Sequence, residues 1–395
     1  MRSLAHTVTL ALLRVGLVHS LSAQTPQMGW NSWNTFKTNF DQSTLQTTAD
    51  LLASTGLKDA GYTYLIMDEG WQDLERDSSG RQQPNLTKLP DGVPGIAKYV
   101  HGKGLKLGIY SDAGIYDCGF YPGSYGNEEL DAATYASWGV DYLKDDNCGG
   151  FYANTESPYT RFAVMRDALK TSGREIFCSL CQWGHQFPWY WADLVGQSYR
   201  MSGDITSIYS DTGKDCPVTG CSVLTIIRKM RELSRFQKKG AWADMDMLEI
   251  GNGNMTLRQQ QTHFSFWAAL KSPLIIGADV SKLAADSLSV LKNEEMIAVN
   301  QDSEGEAMHY LPELSVEKQS QVWAGALSRG RTVVLVLNEG NVTSAIEVEL
   351  AKIPGLNAWK LYQVRDVWGV KSVRNIKGVV NVTVEVDETK VLVFS

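Results

Sequence analysis

Val140-Asp-Tyr-Leu-Lys-Asp-Asp-Asn-Cys148 carries an apolar strand into a lysine and two adjacent carboxylates, then stops at a Cys-Gly-Gly turn. Side chains alternate across a strand, so Lys144 and Asp146 share one side while Asp145 points the other way. A lysine one pleat from a carboxylate at a strand end suits a charged catalytic group held in register. The competing reading is a surface turn rich in Asp and Gly, and the rest of the chain decides between them.

Outward from this stretch, strand and helix patterns alternate. Candidate strands end at Trp30, Asp68, Asp112, Asp146, Cys181, Asp204, Asp246 and Gly277. Helical patterns lie between them at Thr44 to Ser54, Ile96 to Val100, Tyr159 to Lys170, Val223 to Lys238 and Leu257 to Leu270, with Gly56, Gly104 and Gly173 where helix C-caps belong. Eight such units predict an α/β fold, a (β/α)8 TIM barrel over 24–300. A doubly wound sheet is the alternative, but no G-x-G-x-x-G follows the first strand. Beyond residue 300 the pattern changes to short strands at 332–338, 344–350, 359–364, 379–386 and 391–394. These predict a C-terminal antiparallel β-sandwich over 301–395.

The 395 residues, 43% hydrophobic and 21% charged, describe a globular chain. A net charge of -7 argues against nucleic acid or an anionic membrane as partner. Residues 1–23 read as a secretory signal: Arg2 is the basic flank, Val8 to Val18 is mostly apolar, and Ser20-Leu-Ser-Ala23 offers small residues for cleavage. The apolar run, interrupted by Arg14, is too short to span a bilayer. Sequons at Asn85, Asn254, Asn341 and Asn381 fit a secreted, extracellular glycoprotein. Cys216 and Cys221 flank a turn and can close a small loop. Cys178 and Cys181, on one strand, lie about 10 Å apart, too far to pair, and are expected as free buried thiols. No His accompanies the cysteines at metal-ligand spacing, so neither metal nor cofactor is expected.

In a barrel, the C-terminal strand ends build the site. Five of the eight candidates end in Asp: Asp68, Asp112, Asp146, Asp204 and Asp246. One such Asp is often only a helix N-cap. Five on one rim crowd negative charge unless some bind a polyhydroxyl ligand or act as acid and base, with Lys144 and Arg200 as offsetting cations. Carboxylates with Trp30, Trp33, Trp71 and Trp183 nearby are glycosidase-like. An Asp-rich divalent-metal site is the rival.

Met28-Gly-Trp-Asn-Ser-Trp-Asn34, Lys106-Leu-Gly-Ile-Tyr-Ser-Asp112, Tyr142-Leu-Lys-Asp-Asp-Asn-Cys148, Arg200 with Asp204, Asp246-Met-Leu-Glu-Ile-Gly-Asn252 and Trp267 to Gly277 resemble, in order, the motif set of glycoside hydrolase family 27. This is the melibiase family of α-galactosidases and α-N-acetylgalactosaminidases, and the likeness is to its secreted fungal-type members. The resemblance implies a retaining double displacement, with Asp146 as nucleophile and Asp204 as acid and base. It implies sugar-binding roles for Trp33, Asp68, Tyr110, Lys144, Gln182, Trp183, Arg200 and Asp246, and a Cys118–Cys148 disulfide at the pocket rim. Trp183 is expected to leave little room for a 2-acetamido group. Lys144 should keep Asp146 ionised. Burial should raise the pKa of Asp204, which requires Arg200 to bond mainly to substrate.

Departures from that pattern carry their own expectations. Thr38 and Gly70 stand where the family has a cysteine pair, a lost disulfide worth about 2–4 kcal/mol if uncompensated. Ala243 and Met245 replace the usual Asn and Pro around Asp244. Asp145 replaces an apolar or aromatic residue and is expected at the solvated rim, because a buried second carboxylate would raise the pKa of Asp146. Glu69 replaces the second Asp of an acidic pair that holds the far end of galactose. Its extra methylene favours β-L-arabinopyranose, which lacks the C6 hydroxymethyl, although such a clash discriminates by only about 1–3 kcal/mol. The expected function is therefore a secreted exo-acting retaining glycosidase that removes terminal α-D-galactose. A β-L-arabinopyranosidase is the first alternative and a non-catalytic sugar-binding barrel the second.

Overall fold

The computed structural model describes residues 23–149, 156–211, 216 and 219–395; residues 1–22, most of the expected signal segment, lie outside the described residues. Eight parallel strands pair in chain order: β1 (Met28–Asn31), β2 (Tyr64–Ile66), β3 (Lys106–Asp112), β4 (Tyr142–Asp146), β5 (Phe177–Leu180), β6 (Ser198–Arg200), β7 (Trp242–Asp244) and β8 (Leu274–Ile276). β8 pairs with β1, and Leu248, just past β7, bridges to Ile276, which brings the two ends of the sheet together. The fold is the expected barrel. Five strands end earlier than expected: β2 at Ile66, β5 at Leu180 and β8 at Ile276 fall one or two residues short, and β6 and β7 do so for identifiable reasons. β6 stops at Arg200, because Asp204–Ile205 leaves the ladder to pair with Thr219–Cys221. β7 stops at Asp244, because Asp246 adopts φ 76, outside the extended region.

Among the described residues, the helices longer than one turn are α1 (Gln42–Ser54), α2 (Gly92–Gly102), α3 (Glu128–Trp138), α4 (Pro158–Thr171), α5 (Val223–Leu233), α6 (Leu257–Ala269), α7 (Ala285–Leu291) and α8 (Glu294–Asn300), with single turns at Trp33–Phe36 and Leu57–Ala60. Side-chain caps set several starts: Asp41 accepts from the Thr44 N–H, Ser157 precedes Pro158 at the first turn of α4, and Thr256 with Gln259 forms a capping box on α6. Gly56, Gly104 and Gly173, just past α1, α2 and α4, all take the left-handed conformation that stops a helix. The sequence pattern missed α3, whose inner face buries Glu128 and Asp131 beside Ala132 and Tyr135, which blurs the apolar period. α5 is shorter than expected, passing at Leu233 into a 3-10 turn. Two 3-10 turns, not a helix, connect β5 to β6.

The C-terminal region carries β9 (His309–Tyr310), β10 (Ser320–Leu327), β11 (Arg331–Asn338), β12 (Ser344–Glu349), β13 (Tyr362–Asp366), β14 (Lys371–Ile376), β15 (Val379–Val384) and β16 (Thr389–Phe394). One antiparallel sheet has the order β9-β10-β11-β16-β13-β14, and β12 with β15 forms the other. Val334, Val336, Ile346, Val348, Val384 and Phe394 fill the space between the sheets. The region docks on α5 and α6: Trp323 meets Phe266 edge-on at 5.7 Å, and Arg228 and Arg231 both reach buried Glu339.

Inside the barrel, Tyr142 stacks on Phe177 with ring centroids 5.1 Å apart, and Tyr64 leans on Tyr142 at 5.4 Å. Tyr142, Lys144 and Asp146 alternate onto the inward face of β4, so this aromatic plug forms a floor beneath the charged groups.

Candidate active site

Asp146 ends β4 and is 5% exposed. One carboxylate oxygen accepts from the Asn147 N–H at 2.9 Å and the other from the Tyr110 hydroxyl at 3.2 Å. Burial is the largest influence on its proton and pushes its pKa up to about 6, against the pull of the Lys144 ammonium; Asp204 adds to the rise. Lys144 donates to Asp68 at 2.8 Å, and Asn31 donates to the same oxygen at 2.7 Å. β1, β2 and β4 thus meet in one network beside Asp146.

On the opposite side, Arg200 at the end of β6 donates to Asp246 at 2.7 Å and to Asp204 at 2.9 Å. Asp246 also accepts the Ile205 and Met247 N–H groups, each at 2.8 Å. Trp267 on α6 donates to the Asp246 carbonyl at 2.6 Å, which holds the left-handed turn. The side chain of Asp204 is 32% exposed and paired with Arg200. The expected burial is corrected: leaving the barrel ladder carries this residue to the mouth. Cys181, Asn31, Lys144, Arg200, Asp246 and Met247 line one cavity in the lumen. Trp33, half-buried, packs against the inner cluster formed by Ile66, Tyr142, Phe177, Met247 and Ile275, several of which line that cavity.

Asp145 contradicts its expected place at the rim. It is fully buried, and neither carboxylate oxygen has a hydrogen-bond partner among the described residues. Alternation does turn it away from the lumen, but the outer face of a barrel strand is covered by helices. Buried Arg161 of α4 provides the attracting charge there. Burial first, then the charge of Asp146, drives the Asp145 carboxyl well above the usual range. This favours its protonated form and removes the second charge from behind Asp146.

Glu69, which is 2% exposed, lies beside Asp68 with one oxygen unpartnered among the described residues. Its carboxyl rests against the backbone at Gly119, where an added Cβ would stand only 2.0 Å from it. Burial, then Asp117, Asp68 and Asp146, push its pKa up to about 8. Gln182 is buried and accepts from Asn147 at 2.6 Å, and Trp183 follows with φ 50.

Cys118 and Cys148 are joined by a disulfide, as are Cys216 and Cys221, while Cys178 and Cys181 are free and buried. Thr38 and Gly70 touch, the Gly70 α-carbon being so placed that a Cβ would come within 2.7 Å of that of Thr38. The Lys88 ammonium donates to the carbonyls of both residues, at 2.6 and 2.9 Å. A charged clamp thus occupies the place of the missing crosslink. Asn254, Asn341 and Asn381 are exposed and Asn85 half-buried.

Sequence reasoning left three groups without a role. Asp112 accepts from the N–H groups of Gly114, Cys148 and Gly149, fastening the turn after Asp146. Asp117 accepts from Gly119 and Tyr121 and shapes the loop bearing Cys118. Glu249 ties the β1 turn to the segment after β7. Asp112 and Glu249 lie within recognised motifs and Asp117 lies outside them; each also takes a donor from a distant segment, Cys148 and Gly149 for Asp112, Gln72 for Asp117 and Asn34 for Glu249. Asp112, Cys118, Asp146 and Cys148 come close enough to surround an ion. Their chemistry does not suit one, since the two sulfurs are bonded to each other and Asp112 is already satisfied by backbone donors.

An eight-stranded barrel with opposed carboxylates, two interior cations and aromatic walls defines a carbohydrate-active hydrolase. The comparisons name the family. The pattern described as "Alpha galactosidase A" matches residues 25–302, and that of the "Alpha galactosidase C-terminal beta sandwich domain" matches 317–394. The chain belongs to this α-galactosidase family of glycoside hydrolases. It is 44% identical over 351 residues to Alpha-galactosidase 3 of Arabidopsis thaliana, covering 89% of this chain and 77% of that one. To the Alpha-galactosidase of Coffea arabica it is 41% identical, covering 94% of each. The crystal structure of alpha-galactosidase I from Mortierella vinacea superposes with a TM-score of 0.90 at 37% identity, covering 97% of this chain and 98% of that one.

Proposed function

We propose that this protein is a secreted, exo-acting, retaining α-galactosidase in which Asp146 attacks the anomeric carbon and Asp204 protonates the leaving oxygen. The observation that carries this reading is the opposition, across one lumen, of Asp146 on β4 and the Arg200–Asp204–Asp246 group beyond β6 and β7. Asp146 is backed by Lys144 and held by two hydrogen bonds, an arrangement suited to in-line attack. Bond formation to its Oδ releases the aglycone with the proton from Asp204. Asp204 then takes a proton from water, which displaces the carboxylate and restores the anomeric configuration. Sugar hydroxyls compete for Arg200 on binding, which frees Asp204 to carry that proton. Trp33, Asp68, Tyr110, Lys144, Gln182, Trp183 and Asp246 form the pocket wall. Two disulfides and three exposed sequons support an extracellular setting. No helix among the described residues is long and apolar enough to cross a membrane.

The test is kinetic and stereochemical. Asp146→Asn should lower kcat on p-nitrophenyl α-D-galactoside by about 10³-fold or more. Asp204→Ala should retain turnover of this activated substrate in azide and release α-galactosyl azide, because azide displaces Asp146 from the face that water would use. Inversion at the anomeric carbon, seen by NMR in the first minutes of the wild-type reaction, would refute the mechanism. A second reading, β-L-arabinopyranoside hydrolysis alone or alongside, is favoured by Glu69, whose longer arm and unpartnered oxygen stand next to Asp68.

A further inference from the structure

Trp33 rides on the turn between β1 and α1, and that turn is pinned at both ends. Asn31 accepts the Trp33 N–H at 2.8 Å through its side chain and donates to Asp68. At the far end, the Asn34 amide donates to one oxygen of Glu249, and Asn252 donates to the other at 2.7 Å. Glu249 is 2% exposed, so both oxygens are used inside the protein. Thr35 adds a bond to the Gly277 carbonyl at 2.7 Å. The groups facing Glu249 are two amides, the His263 ring that accepts its N–H, the Asp246 charge and the more distant Lys37 ammonium. Burial, only partly offset by the two amide donors, pushes Glu249 up to about 7. Its bond from Asn34 reaches from the last strands of the barrel to the first, next to where the sheet ends meet.

We infer that Glu249 is a positioning residue for sugar binding: by accepting from Asn34 it locks the turn that sets Trp33 against the pocket. This rests on the proposed function insofar as Trp33 meets the sugar, whereas the clamp itself does not depend on that reading. Two acceptors facing two donors make a polarity that can be inverted. Asn34→Asp sets carboxylate against carboxylate. Glu249→Gln alone is tolerated, since Asn34 can turn its amide to present oxygen. In the double variant the new carboxylate at position 34 accepts from the new amide at position 249, and Asn252 keeps its acceptor.

At pH 7.5, Asn34→Asp should speed hydrogen exchange of the peptide spanning 31–37 by about fivefold or more. It should also raise KM for the glycoside by about tenfold while kcat stays within about twofold. The double variant should recover both readings to within about threefold of wild type. If Asn34→Asp fails to fold, Asn34→Ser carries the same measurements, with effects in the same direction. Wild-type exchange and KM in the position-34 variant, a loss confined to kcat, or a double variant no better than the single one would each overturn the inference. A wild-type enzyme that turns over neither glycoside would refute the proposed function, while the exchange measurements would still decide the clamp.

Discussion

At the scale of single residues, alternation along β4 sets Lys144 and Asp146 inward, and their settings separate their chemistry. Asp146 is buried yet keeps hydrogen bonds to Asn147 and Tyr110, while Lys144 is committed to Asp68. Glu69 is the residue on which the proposed β-L-arabinopyranoside reading rests. Its carboxyl is packed against Gly119 and beside Asp117, so it has little freedom to swing farther from the sugar. Glu69→Asp should shift the ratio of kcat/KM for p-nitrophenyl β-L-arabinopyranoside over the α-D-galactoside toward galactose by about 10-fold, the worth of one methylene. An unchanged ratio would remove Glu69 as selector. The motif around Glu69 was legible in the sequence, but its proton affinity was not, because burial and three acidic neighbours act together only in the folded pocket.

At the scale of elements, the helix stops at Gly56, Gly104 and Gly173 and the strand ends at Asp112 and Asp146 were readable, because such residues act on their own local backbone. The ends of β6 and β7 were not. A two-residue pairing with Thr219–Cys221 and a left-handed Asp246 depend on partners far along the chain. The Lys88 clamp is a similar case: Thr38 and Gly70 were marked by their missing cysteines, while the lysine joining them gave no pattern. Lys88→Met leaves two carbonyls without their charged donor. It should lower unfolding free energy by about 1–3 kcal/mol, measured by urea denaturation. An unchanged midpoint and slope would show that the clamp does not replace the crosslink.

At the scale of the whole molecule, closing the barrel gathers an unusual load of buried acids. Asp146 and Asp244 are pushed up to about 6, Asp117 and Glu249 to about 7, and Glu69 to about 8, burial leading in each case. A carboxyl whose pKa is raised on folding stabilises below its unfolded value, and that contribution is lost as pH rises through the folded one. Buried His263, lowered from 6.5 to about 3, acts oppositely and loses its contribution as pH falls below 6.5. Five acids outweigh one imidazole, so Tm should peak near pH 5 and fall by roughly 5 °C or more by pH 8. Scanning calorimetry of the ligand-free protein checks this, and a Tm rising from pH 5 to 8 would contradict it.

The sequence by itself determined the alternation of elements, the inward placement of Lys144 and Asp146, and the ordered motifs that mark the family. Those properties follow from local periodicity, local turn chemistry and residue identity. The tertiary structure decided that Asp145 is buried under helices, that Asp204 stands at the mouth on Arg200, and that Glu249 reaches across to the β1 turn. Burial and pairing of charge depend on which distant segments cover a side chain, and only closure of the barrel sets that.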